Sequence, residues 1–176
     1  QGGRMPLSSQ LSAMIRLKID EVVRGIDADE EMKFLRPLFR LQQSRSHLPA
    51  AQEFLIEYFQ TTEGYHVLFY PFEGRFVHEG MAALMAHRIA QLQPITFSIA
   101  MNDYGFELLS DQPIPVDDSN VYELFSPENL LNDIQRSMNA TEMAKRKFRD
   151  IAVIGGLIFQ GFPGEQKKAR HLQSSA

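Results

Sequence analysis

The chain contains no cysteine, which excludes disulfides, thiolate metal ligands and thiol nucleophiles and makes an intracellular protein the easier reading. No apolar run approaches the ~20 residues that span a bilayer, and the opening QGGRMPLSSQ has no apolar signal core. Secretion and membrane insertion are therefore not expected. Reaction signatures are missing as well. His78-Glu79 begins like a zinc-protease HExxH motif, but Ala82 stands where the second histidine belongs. His87 falls half a turn out of phase with His78 on a helix of 3.6 residues per turn, so the two imidazoles cannot share a metal. There is no GxSxG elbow, no GxxxxGK[ST] loop and no DExH box, and the glycines of GFPGEQKK do not precede a Lys-Ser/Thr pair. These gaps point away from metalloprotease, serine-hydrolase and ATPase chemistry within this segment. Internal repeats, heptads and long low-complexity linkers are absent too.

What is present is enough for one domain over residues 1–176, a length that buries ~70% of the unfolded surface without a disulfide or metal staple. The net charge of −4 conceals an asymmetry. Residues 1–140 hold 11 Lys+Arg against 19 Asp+Glu, whereas residues 141–176 hold 7 against 3. A basic end thus sits on an acidic body, suited either to phosphate or to neutralising acidic neighbours.

Periodicity predicts an α+β fold, a small antiparallel sheet of hairpins packed with about six helices. PLSSQLSAMIRLKIDEVVRG reads as an amphipathic helix with Ser8 or Ser9 as N-cap, Leu11, Met14, Ile15 and Val22 on related turns, and Gly25 as stop. DADEEMKFLRPLFRLQQ follows as a second helix that carries Phe34, Leu35, Leu38 and Leu41, and Pro37 should kink or split it. The two form a helical hairpin. EFLIEYFQ and YHVLFYPF, rich in aromatic and β-branched residues about a TTEG turn, predict a β-hairpin. Gly74 opens a helix of about five turns that closes at Pro94. ITFSIAM then alternates, with Ile95, Phe97, Ile99 and Met101 on one face, and NDYG turns the chain into FELLS. NVYELF gives a short helix, Ser126 and Pro127 cap and begin another in PENLLNDIQRSM, and TEMAKRKFRDIAVIGGLIFQ forms the last, charged at its start and apolar on all sides at its end.

Two groups of residues carry candidate function. Glu73, Arg75, His78, Glu79, Arg88, Asn102 and Asp103 are polar where packing alone does not require it. His78 and Arg88 fall near an apolar stripe of Val77, Met81, Leu84 and Met85, opposite a small-residue face of Ala82, Ala83, Ala86 and Ala90. An arginine turned toward a core needs partners, because an unpaired buried charge is very costly, and Glu73, Glu79 or Asp103 can supply them. The favoured reading is a structural polar network that fixes hairpin to helix; a hydrolase using His78 and Glu79 requires an open cleft around both. The second group, Lys145, Arg146 and Arg149 along one helix side with Lys167, Lys168 and Arg170 after a Gly-Phe-Pro-Gly turn, can track a phosphate backbone, with Phe159 and Phe162 between the clusters. From the residues alone the favoured alternative is that these charges are solvated and the phenylalanines are core or turn residues.

GGRMPLSSQL, FYPFEGRFVHEGMAALMAHRIAQLQPITFSIAMNDYGFELLS and FRDIAVIGGLIFQGFPGEQKKARHLQSS resemble, in the same order over nearly the whole chain, the DEAD/H-associated region of Lhr-type helicases, in particular the ligase-associated DEXH-box DNA-repair helicases of bacteria. The resemblance implies an accessory domain cut from a larger ATP-dependent, 3′-to-5′ DNA helicase, in which two RecA-like motor domains and a winged helix precede this region. It implies ATP and Mg in the parent but no cofactor in this segment. The partners it implies are the RecA-like and winged-helix domains, single-stranded DNA or a DNA:RNA hybrid, and a DNA ligase or nuclease. It further implies a cytoplasmic, nucleoid-associated location. None of the family's motor motifs occurs in these residues, and the family usually continues past LQSS with another helical stretch. What carries over is a role, packing on the motor and helping to hold the single strand; the competing reading is a scaffold that touches no nucleic acid.

Overall fold

A computed structural model describes residues 7–26 and 29–140. The chain opens with α1 (Ser9–Val23), capped by the Ser8 hydroxyl, which accepts the Leu11 N–H at 3.3 Å. It ends in a Schellman turn: Ile26 N–H reaches Glu21 O, Gly25 N–H reaches Val22 O, and Gly25 takes φ 74°, a left-handed value that costs glycine little. α2 (Glu30–Arg45) follows, and Pro37 lies inside it without splitting it. That proline removes one backbone hydrogen bond and costs a helix interior ~3 kcal/mol, yet α2 contributes no buried residue to offset it.

The sheet has four antiparallel strands in the order β1-β2-β4-β3, with β1 at Leu55–Gln60, β2 at Tyr65–Tyr70, β3 at Ser98–Met101 and β4 at Phe106–Ser110. It consists of two hairpins joined through β2 and β4. Alternation puts Val67 and Phe69 of β2 opposite Leu108 and Phe106 of β4 on one face, and the two phenylalanine rings stack with centroids 4.7 Å apart. α3 (Arg75–Leu92) lies on that face and inserts Ala82, Met85 and Ile89 into the core. Ile114 and Leu124, the latter from α4 (Val121–Leu124), close the core from the side. A fifth helix, α5, occupies residues 130–140, so the described residues form an α+β fold with five helices.

Several expectations shift. The strand expected over Ile95–Met101 pairs only from Ser98, because β4 stops at Ser110 and leaves residues 95 and 96 no ladder partner. Ile95 and Phe97 instead pack against the core from the connection. The helix expected from Pro127 starts at residue 130, since Asn129 takes φ 54° and breaks the first turn; Ser126 caps nothing helical but accepts the Glu128 N–H at 3.2 Å. The α3 stripe is also rotated: Val77 is exposed, while Ala82, placed on the small-residue face, is fully buried. The helix expected over TEMAKRKFRDIAVIGGLIFQ lies outside the described residues.

Candidate functional site: two polar anchors and an open helical hairpin

Glycine 74 breaks the chain ahead of α3 with φ 88°, so that the first turn of the helix faces the β3–β4 turn. There His78 is fully buried, one turn into α3. Its Nε2 accepts the backbone N–H of Glu73 at 3.1 Å, which places the ring proton on Nδ1, and Nδ1 donates to the carbonyl of Asn102 at 2.7 Å. Both nitrogens are consumed by backbone. The Asn102 Oδ1 in turn accepts the N–H groups of Tyr104 and Gly105, which shapes the hairpin turn. Asp103 Oδ1 accepts the N–H groups of Leu7 and Arg75, a carboxylate at the positive end of α3. Glu73 binds Arg16 of α1 at 2.8 Å. The cluster therefore fastens α1, α3 and the β3–β4 turn to one another. A sealed histidine with no free nitrogen can neither ligate a metal nor act as a base, and Glu79 lies on the exposed side of the helix; the hydrolase reading fails on geometry.

Arg88 belongs to a second anchor, not to the first. Its Nε donates to Asp133 Oδ2 at 2.9 Å, Nη1 to the carbonyls of Leu124 and Ser126, and Nη2 to that of Glu128. The expected partners Glu73, Glu79 and Asp103 are replaced by an aspartate 45 residues downstream and by backbone that only the tertiary fold brings close. One planar guanidinium thus satisfies carbonyls left open where α4 ends and α5 has not yet begun. Arg75 enters the first anchor only through its backbone N–H, its side chain being exposed. Lys145, Arg146, Arg149, Lys167, Lys168 and Arg170 lie outside the described residues.

Sequence reasoning missed a third polar group, on the sheet face turned away from α3. Buried His66 of β2 has Nδ1 2.6 Å from Glu107 Oε1 and Nε2 2.7 Å from Thr61 Oγ1, with the Phe59 ring stacked on it at 4.8 Å. Tyr70, two steps along the same face, donates to Glu57 at 3.0 Å, and burial, reinforced by the Glu57 carboxylate, pushes its phenol well above the usual range. Leu68 sits between Glu57 and Glu107 in the register, so each carboxylate takes the diagonal partner on its own side. The signal was the alternation of YHVLFY, which sends His66 and Tyr70 to the face opposite Val67 and Phe69. Although hydroxyl, imidazole and carboxylate stand in the order of an acyl-transfer relay, the Thr61 oxygen is held by the Glu63 N–H within the hairpin turn. The cavities beside α1 and at Arg88 are lined by none of the three residues.

The remaining feature is apolar. α1, α2 and the ends of β1 and β2 enclose a cavity of about 560 Å³ lined by residues such as Met14, Leu35, Phe39, Leu55 and Phe72. A smaller one of about 300 Å³, containing the Arg16–Glu73 pair, lies on the other side of α1. Lys18 ties the two helices, binding Glu21 and Asp29, and these carboxylates raise its ammonium above the usual value, Asp29 contributing most. No helix of the described residues is long and apolar enough to cross a membrane.

The described residues thus form an antiparallel sheet braced by one long helix, with the side chains of His66, His78 and Arg88 committed to holding elements together. Comparison with known proteins supplies the family. The DEAD/H associated family matches residues 48–176, and the chain belongs to it. It is similar to the ATP-dependent helicase Lhr-Core of Methanocaldococcus jannaschii, 26% identical over 145 residues, which are 82% of this chain and 17% of that protein. It is likewise similar to Lhr-Core protein 2 of Thermococcus barophilus, 25% identical over 148 residues, 84% of this chain and 17% of the other. Among solved structures, the helicase Lhr of Mycobacterium smegmatis bound to ssDNA and AMP-PNP matches 99% of this chain and 24% of its own, with TM-score 0.59 and 19% identity, a likeness of fold. The chain thus corresponds to the DEAD/H-associated region of Lhr-type helicases and spans about a sixth of the length of these curated relatives.

Proposed function

We propose that this chain is an accessory domain of an Lhr-type ATP-dependent DNA repair helicase, packing on the motor and winged-helix domains and helping to hold single-stranded DNA. The observation that carries the reading is the family match, which runs through the sheet and α3 and continues across the basic residues 141–176. A translocating helicase holds backbone without reading sequence, which calls for Lys/Arg contacts to phosphate and occasional stacking on aromatic rings. Lys145, Arg146, Arg149, Lys167, Lys168 and Arg170 are the candidates, and Phe159 and Phe162 lie between them in sequence. ATP and Mg belong to the motor domains of the parent, a DNA ligase or nuclease is the proposed partner in repair, and the site of action is cytoplasmic DNA.

The test is a salt series on single-stranded DNA binding by the intact helicase. Each phosphate contact on a single strand contributes ~0.7 to the slope of log affinity against log salt, so reversing the charge of Lys145, Arg146 and Arg149 together flattens it by about 2. An unchanged slope with unchanged unwinding removes these three residues from the account. The second reading is a scaffold that braces the motor without touching nucleic acid. That reading draws on the exposed apolar side of α2.

A further inference from the structure

Charge is unevenly placed along the described chain. Residues 54–140, which hold the sheet, α3, α4 and α5, carry 3 Lys+Arg against 12 Asp+Glu, whereas residues 32–52 carry Lys33, Arg36, Arg40 and Arg45 and no carboxylate. All four of these cations lie on α2. Lys33, Arg36, Arg40 and Gln43 fall at i, i+3, i+7 and i+10, one stripe that runs ~15 Å along the helix axis. Lys33 is bound to Glu30 at 2.6 Å, so the arginines carry the argument. Arg36, Arg40 and Gln43 line a cavity of about 290 Å³ between α2 and the end of α1, together with apolar residues such as Val22, Ile26 and Phe39. No carboxylate is among the described residues that line it. The negative end of α1 is close by, but the carbonyls of Glu21 and Val22 there are capped by the N–H groups of Ile26 and Gly25.

We infer that this stripe of α2 binds the backbone phosphates of single-stranded DNA, with Arg36 and Arg40 as the contacting cations and Gln43 as a neutral donor. The occupant follows from charge and geometry. A cationic helix side on an otherwise acidic body draws a polyanion to that side, and holding a strand without reading its sequence calls for donors set out along a line. Guanidinium forks meet phosphate oxygens with two parallel N–H groups, and a carboxamide adds a donor without adding charge. The inference rests on the accessory-domain reading and gives it a second contact surface. That surface is separate in sequence from Lys145, Arg146 and Arg149 and is carried by a helix whose place beside α1 is fixed by the Lys18–Asp29 pair.

The experiment follows binding of the full-length helicase to a single-stranded oligonucleotide across a salt series, comparing the parent with Arg36→Gln/Arg40→Gln and with Arg45→Gln. Each lost phosphate contact removes ~0.7 from the slope of log affinity against log salt, so the double variant should flatten it by about 1.4. Arg45 lies about 140° around the helix from Arg40, and Arg45→Gln should leave the slope as it is. An unchanged slope for the double variant, or a flattening by Arg45→Gln as large per charge, overturns the proposal. α2 has no buried residue, so the variants should keep the circular dichroism of the parent. Should the double variant fail to fold, benzoylphenylalanine at position 43 decides: an ultraviolet-induced adduct with the oligonucleotide is expected, and its absence overturns the proposal. Flattening by the α2 variant beside an unchanged slope for the Lys145, Arg146 and Arg149 reversal keeps this inference and removes only those three residues; the opposite pattern removes only the α2 stripe.

Discussion

Replacing Arg88 with methionine tests whether one guanidinium holds α4 and α5 to α3. Methionine keeps the stem but leaves Asp133, whose side chain is 12% exposed, without its cation, and leaves the carbonyls of Leu124, Ser126 and Glu128 without donors. Breaking a buried pair from one side costs ~3–5 kcal/mol, and three lost neutral acceptors at ~1 kcal/mol each give a similar figure. For a chain of this size that corresponds to a fall in Tm of roughly 6–20 °C. Arg88→Lys keeps the charge but directs it from a single nitrogen, which cannot serve four acceptors on a planar fork, so about half the loss remains. Asp133→Asn retains an acceptor for Nε and costs only ~1–2 kcal/mol, because three of the four bonds persist. Urea unfolding gives the magnitudes, and hydrogen exchange shows whether protection falls first over residues 121–140 while β2 and β4 keep theirs. A loss below ~1 kcal/mol for Arg88→Met, or an Asp133→Asn effect as large as that of Arg88→Met, refutes the carbonyl clamp.

His78→Ala leaves the Glu73 N–H and Asn102 carbonyl unpaired in a ring-sized void and should cost ~3 kcal/mol; full stability in thermal melts contradicts the first anchor. Gly105→Ala places a methyl group against the Phe69 carbonyl oxygen, where backbone has to move, so a loss above ~2 kcal/mol is expected, and a neutral result means that β2 and β4 approach less closely than described. The Glu53 carboxyl is held below its ordinary value by the Ala50 N–H and then by His47. A folded-state value below the unfolded one means that the 47–53 loop is stabilised above the unfolded value and loses this as pH falls through the folded one. A carboxyl-detected NMR titration should find Glu53 among the most acidic glutamates, and an ordinary midpoint removes the loop contact.

The two hairpins, the five-turn helix and a serine cap at Ser8 or Ser9 were legible because each is a local signal: a period of two, a period of 3.6, a turn residue or a hydroxyl at the right offset; the structure chose Ser8. The polar groups at His78 and Asn102 were also legible as residues too polar for their stretch, and they meet because a turn and a helix start adjoin. Arg88 shows the limit. Its need for a partner followed from its place on the helix, but that partner, Asp133, is set by how α4 and α5 return to α3. His66 and Glu107 met for the same reason, through a strand register that pairs β2 with β4 across an intervening helix. Among the described residues, sequence by itself therefore determined most of the elements and their order, and it determined the family, since these rest on local chemistry and on residue identity. Tertiary structure alone decided which charges are paired and which apolar side stays open. Such contacts depend on residues distant in the chain, and α2, amphipathic in sequence, finds nothing among the described residues to cover its stripe.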